Sequence, residues 1–169
     1  MTDPRIDRAE RHLDRMNSFF PRIDAKVAAV AAWLLLELGV AALNTRLADL
    51  ERTWVWLPFA GFVVCVGVAG VALWRCLFPE RRGGQGSLVY FARIAERTEA
   101  SFVREYLAVT DEEMLGDLAG QVWRNAEIVC GKFRHVDRAI RWATLSLGFL
   151  VAEVVATSFV HQALPRLTG

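Results

Sequence analysis

Between Trp54 and Trp74 the chain runs without a single charged residue. A run that long and that apolar reaches the length an α-helix needs to cross the hydrocarbon of a bilayer, about 20 residues. Two more stretches have the same character. One runs from Val27 to Asn44 and is interrupted only by Glu37; the other runs from Trp142 to Leu164 and is interrupted by Glu153. Inserting one acid costs about 2.5–3.5 kcal/mol, which the surrounding Leu, Val, Ala and Phe offset. Apolar residues are 54% of the 169 and charged ones 23%, and the two kinds stand in separate blocks. That segregation predicts an all-α membrane protein, with three transmembrane helices and an α-helical cytoplasmic region. The apolar content excludes disorder.

Charge sets the orientation. Six Lys and Arg lie before the first span, two in the loop 45–53, eleven in 75–141 and one, Arg166, in the tail. The positive-inside rule places the N-terminus and the long middle segment in the cytoplasm, and the short loop and the C-terminus outside. Trp54 and Trp56 fit the outer interface, and Trp74 and Trp142 the inner one. The expected division is a cytoplasmic amphipathic helix over 1–24, spans over 25–47, 54–78 and 141–164, and a cytoplasmic helical region over 79–140. The first 26 residues are charged throughout, so no signal peptide is expected there. A net charge of +1 excludes a generally basic nucleic-acid binder. Cys65, Cys76 and Cys130 are scattered and form neither a disulfide framework nor a metal-binding CxxC.

Ile6, Ala9, Leu13, Met16 and Phe20 recur at helical spacing and predict one helix over 5–20, with Asp3 as N-cap and Pro4 in its first turn. Its mixed charges favour packing on other cytoplasmic helices over lying on lipid. Ser87 can cap a helix from Leu88 to about Val109, and Thr110-Asp111-Glu112-Glu113 fits a capping box. The helix that follows carries a near-heptad seam at Leu115, Leu118, Val122, Val129, Phe133, Val136 and Ile140, with Asn125 or Ala126 at the missing position. No proline interrupts it before Trp142, so it can continue into the third span. The seam fits a core helix pair or an oligomer interface.

Glu37 and Glu153 sit at matched depth, about 16–18 Å from the inner flank when counted from Lys26 and Arg141. Acids in lipid face protein or water. Each can hydrogen-bond a neighbouring helix, with Ser146, Thr157 or Asn44 as partner, or belong to a polar seam that lines a conduit or holds a bundle closed. Gly61, Cys65 and Ala69 form a small-residue ridge suited to close helix packing. Arg81, Arg82, the glycines after them and Ser87 lack the Lys of a Walker motif. They read as a flexible linker, or as a cradle for one anionic group at a helix N-terminus. Tyr90, Phe91, Arg93 and Arg97 follow. Arg93 and Arg97 share a helical face, with Glu96 and Glu99 on other faces, and this is either a solvated face or a grip for a phosphate and a base. His12, His135 and His161 are isolated, and no nucleophile stands at useful spacing from a base. No catalytic residue, no metal site and no enzyme activity are expected.

An ordered set of short motifs resembles the transmembrane effectors of bacterial Pycsar anti-phage defence. Asp24-Ala25-Lys26 leads into the first span, and Pro79 and Arg81 close the second. Leu88-Val89-Tyr90-Phe91-Ala92-Arg93-Ile94-Ala95 is similar to an aromatic-rich helix of that family. Glu105-Tyr106-Leu107, Gln121-Val122, Ile128 and Lys132-Phe133 follow in order, so that the likeness covers about residues 24–150. Val27 and Arg93 depart from it, where the family more often has Ala and His.

The resemblance implies a bacterial inner-membrane protein with a sensor region over 79–140. A partner cyclase makes a cyclic pyrimidine mononucleotide, cUMP or cCMP, and the effector senses it and impairs the membrane, aborting the infected cell. The implied partners are that nucleotide, the lipid bilayer and further copies of the chain, with no cofactor and no nucleic acid. Arg81, Arg82, Ser87, Tyr90, Arg93, Arg97 and Lys132 are the candidate ligand contacts, and Glu37 and Glu153 the intramembrane polar groups. The competing readings are a passive oligomeric scaffold and a small proton or cation carrier that uses the two acids.

Overall fold

The structure, a computed structural model, describes residues 3–78, 84 and 86–163, with side chains to 161. Every element among these residues is helical: α1 (Pro4–Asn17), α2 (Phe19–Asn44), a 3-10 helix (Leu47–Glu51), α3 (Thr53–Leu77), α4 (Phe91–Ala95), α5 (Glu99–Ala108) and α6 (Asp111–Ala163). Segments Pro4–Asn44, Thr53–Leu77 and Asp111–His161 each contain a window long and apolar enough to cross a membrane. The expected continuity holds: α6 is one helix of 53 residues. The chain divides into two compact units. A polar unit holds Met1–Ile23 and Phe78–Phe133, and a span unit holds Asp24–Leu77 and Arg134–Gly169.

In the span unit, two hydrogen bonds fix α2 against α6. Glu37 meets Ser146 and Thr45 meets Glu153, so the two segments run parallel. Helix α3 runs the other way: Val55 packs with Ala156 and Val160, while Phe62 packs with Leu150. Three consecutive crossings require that alternation. The ridge on α3 is real, since Cys65 and Ala69 are buried. A Cβ at Gly61 would stand 2.6 Å from the Phe149 ring, so the glycine is what lets the aromatic seat there. Lipid tails are as apolar as Leu, so such packing and interhelical hydrogen bonds, rather than water exclusion, hold a bundle of this kind. The other faces carry exposed Leu35, Leu36, Leu57, Val64 and Phe159, which suits lipid contact.

In the polar unit, Asp3 caps α1 by accepting the Arg5 amide at 2.8 Å, with Pro4 in the first turn. Helix α1 stops at Asn17 rather than continuing to 20, and α2 starts two residues on. Ile6 is buried and Ala9, Leu13, Met16 and Phe20 are half-buried, while Arg8, Glu10, Arg11 and His12 face out. The expected helix over 88–109 is two helices. Thr98 accepts the Ser101 amide at 3.3 Å and caps a new start, which breaks the helix between Ala95 and Glu99. The capping box at Thr110 and Glu113 is present, with Thr110 N–H to Glu113 Oε2 at 2.9 Å and Glu113 N–H to Thr110 Oγ1 at 3.3 Å. Those bonds, the backbone one first, hold the Glu113 carboxyl below its ordinary range.

The seam on α6 differs from the expected one. Leu118, Val129 and Val136 are buried, but Val122, Phe133 and Ile140 are only half-buried. Gln121 and Lys132 take inward positions in the polar unit, and of the two residues offered for the missing seam position Asn125 rather than Ala126 is buried. A polar chain explains this: Gln121 Nε2 donates to Asn125 Oδ1 at 3.0 Å, and Asn125 Nδ2 donates to Asn17 Oδ1 at 2.9 Å. The buried residues then continue in the span unit at Ala139, Ala143, Ser146, Leu150, Glu153, Thr157 and Val160. That three–four alternation is the heptad rhythm carried to the end of the helix.

Candidate functional site: a turn held by Asp117 and two intramembrane carboxyls

The polar unit builds its site around one carboxylate. Asp117 Oδ2 accepts the Leu88 amide at 2.7 Å, the Ser87 hydroxyl at 2.9 Å and the Val89 amide at 3.2 Å. Ser87 Oγ in turn accepts the Tyr90 amide at 2.9 Å. Ser87 therefore folds a turn ahead of the helix, and Tyr90 is the N-cap residue of α4. Gly86 has φ +75°, a conformation that costs a residue with a Cβ. Arg97 closes the turn from the other side, with Nη1 donating to the Ser87 carbonyl at 2.8 Å and Nη2 to the Gly86 carbonyl at 2.7 Å.

Two clefts meet at Gly86. One, of about 500 Å³, has an apolar part at Leu88, Val109 and Met114 and an acidic part at Glu105, Glu113 and Asp117. The other, of about 310 Å³, is lined by Gly86, Arg93, Glu96 and Arg97. The second is the one with cationic groups for an anion. Its cations are paired, contrary to expectation. Arg93 Nη1 lies 2.7 Å from Glu96 Oε2, and Arg97 Nε lies 3.3 Å from Glu105 Oε2. Side chains three apart on a helix are neighbours, and the break after Ala95 lets α5 bring Glu105 back to Arg97.

Of the candidate ligand contacts, Ser87, Arg93 and Arg97 come together at this turn. Tyr90 is buried beside them, its ring 4.9 Å from that of Phe91. Lys132 stands apart, about 22 Å along α6 from Asp117, with Nζ 5.8 Å from the Phe20 ring centroid. Arg81 and Arg82 lie outside the described residues. Two residues of the site escaped the sequence reading. Asp117 is its hub, and Arg124 lies beside it, donating to Gln121 Oε1 at 3.1 Å and 3.7 Å from Asp117 Oδ1. Their spacing, seven residues on one helix, was the available signal.

In the span unit both acids are buried. Ser146 Oγ lies 2.6 Å from Glu37 Oε2 and 2.8 Å from the Ala143 carbonyl. Thr45 Oγ1 lies 2.6 Å from Glu153 Oε1 and 2.8 Å from the Ala41 carbonyl. A hydroxyl carries one proton. In each case the carboxyl oxygen and a carbonyl of the hydroxyl's own side of the interface share that proton. Glu37 Oε1 and Glu153 Oε2 have no hydrogen-bond partner among the described residues. Ser146 was among the expected partners; Glu153 instead uses Thr45, because Thr157 bonds back to its own helix at the Glu153 carbonyl. His161 is not isolated either: its Nε2 lies 3.2 Å from the buried Asp49 Oδ2, which also accepts the Arg46 amide. Among the described residues no cluster of His, Cys, Asp or Glu could hold a metal.

The fold and site together define a class: an all-helical membrane protein of three spans that carries a helical polar unit with a turn-centred cleft. The chain belongs to the Pycsar effector family; the model of the Pycsar effector protein domain, PycTM, matches residues 8–160. It is an effector of Pycsar defence. Comparison with curated proteins and with solved structures gives no match.

Proposed function

We propose that this effector senses a cyclic pyrimidine mononucleotide, cUMP or cCMP, made by a partner cyclase, and answers by impairing the bacterial inner membrane so that the infected cell aborts. The observation that carries the reading is the extent of the family match, which takes in the polar unit and all three spans. A cyclic nucleotide presents one anionic phosphate, a ribose and a flat base. Arg93 and Arg97 supply the charge for the phosphate, and the adjoining cleft supplies apolar floor and acceptors for the base. A phosphate there competes with Glu96 and Glu105 for the two arginines. Releasing Arg97 loosens the 86–90 turn that Asp117 ties to α6, and α6 continues as one helix into the third span.

In this reading the protein is no enzyme. Its N-terminus is cytoplasmic and its C-terminus periplasmic, and Tyr106, Leu107 and Trp123 give the exposed apolar surface for a homo-oligomer. The test is a voltage-sensitive dye in cells that express the chain with an active or an inactivated cyclase. Depolarisation should follow only the active cyclase. Equal depolarisation with both would leave an ungated carrier as the better reading, and depolarisation with neither the passive scaffold.

A further inference from the structure

We infer that the α2–α6 interface is a latent path for small monovalent cations, shut by the two carboxyl–hydroxyl contacts. The inference rests on the reading that the membrane is the target, and names what crosses it. The two contacts are reciprocal. Helix α2 gives the acid and α6 the hydroxyl at Glu37–Ser146, while α6 gives the acid and the residue closing α2 gives the hydroxyl at Thr45–Glu153. Between the two levels lies an apolar cluster of Ala41, Phe62 and Leu150. A cleft of about 260 Å³, lined by Ala41, Thr45, Arg46 and Phe62, reaches the outer level.

Packing alone does not call for this design. The same seam is filled by Ala139, Ala143 and Leu150 at other levels, at no desolvation cost. The acids each keep one oxygen buried without a partner among the described residues, which is the expensive way to join two helices. Unpartnered carboxyl oxygens become useful when water enters. Once α2 and α6 part, Glu37, Ser146, Glu153 and Thr45 line one face of a wet path, in which carboxylate oxygens outnumber hydroxyl donors and their negative charge draws a cation and repels an anion. The dry cluster between them then acts as the barrier that closes again when the contacts re-form.

The test uses purified full-length chain in proteoliposomes loaded with KCl and calcein, without nucleotide, so it is independent of whether sensing is correctly assigned. The variant T45V/S146A removes both hydroxyls and keeps both acids. It should pass K⁺ in preference to Cl⁻ at least tenfold faster than wild type, with calcein retained. Adding E37Q/E153Q to it should remove most of that flux. Should the double variant fail to fold by circular dichroism, S146A alone opens one contact and should give the same selectivity at a smaller rate. Release of calcein alongside K⁺, a flux indifferent to E37Q/E153Q, or no flux from folded variants would each overturn the inference.

Discussion

Asp117 and Ser87 are joined across thirty residues of sequence by a 2.9 Å hydrogen bond, and the same carboxylate oxygen holds the amides of Leu88 and Val89. One acid thus fixes the turn whose Gly86 and Ser87 carbonyls accept from Arg97. An Asn at 117 keeps one acceptor but turns a donor toward other donors in the alternative rotamer. Asp117→Asn should destabilise the polar unit by about 1–3 kcal/mol. Hydrogen exchange at the Leu88 and Val89 amides should accelerate more than exchange in α6. Unchanged exchange there would show that the turn is held by other contacts.

Glu37 and Ser146 should behave as a coupled pair. Interhelical hydrogen bonds in bilayers average about 0.6 kcal/mol. Ser146→Ala therefore destabilises modestly while stranding a buried carboxyl, whereas Glu37→Leu combined with Ser146→Ala should restore much of the loss. Thermal unfolding in detergent across the four members of the cycle measures the coupling. Additive losses would mean that the 2.6 Å contact contributes nothing.

Gly61 is a steric prediction. Gly61→Ala places a methyl within 2.6 Å of the Phe149 ring, and the ring must leave its seat. The expected loss is about 1–3 kcal/mol, as for overpacked interiors. Phe149→Leu in the same chain should recover most of it. Gly61→Ala at wild-type stability would show that α3 and α6 pack less closely than 2.6 Å implies.

His135 gives a pH dependence. Burial first, then Arg138, Arg75 and Arg134, hold its pKa below the ordinary histidine value. Its Nδ1 is buried with no partner among the described residues. The folded state therefore binds this proton less readily than the unfolded one. The contribution is intact above about pH 6.5 and is lost as pH falls below it. Melting temperature should drop on acidification from pH 7 to pH 5, and His135→Asn should flatten that drop. A His135 resonance titrating at or above its free value would contradict the assignment.

The apolar stretches were legible because membrane crossing is a matter of length and composition; α3 follows its stretch within a few residues, while α2 begins at Phe19, eight residues before Val27, and α6 begins far ahead of Trp142. The Asp3 cap and the Thr110–Glu113 box were legible because their partners are three residues away or fewer. Ser146 was one of the three partners offered, but the matched depth of Glu37 and Glu153 does not hold: Glu37 lies level with Ser146 and Glu153 with Thr45, about two helical turns apart, because counting from Lys26 and Arg141 assumes that both helices enter the membrane at the same height. What escaped depends on partners distant in sequence. Asp117 looks like an ordinary surface acid until the 86–90 turn folds onto it. Arg97 looks free until α5 returns Glu105 to it. Gln121 and Lys132 look solvent-facing beside Val122 and Phe133, and a hydropathy pattern cannot choose Asn125 over Ala126 on the seam, because it cannot foresee that Asn17 will satisfy an amide.

Nucleotide sensing is tested most directly by a calorimetric titration of the purified full-length chain in detergent with cUMP, cCMP, cAMP and cGMP in turn. Saturable binding of one cyclic pyrimidine nucleotide is expected, with silence from both purines and loss of that binding in the variant R93A/R97A with its helical content intact. Silence from all four nucleotides in folded protein, or binding indifferent to base and to both arginines, would contradict it.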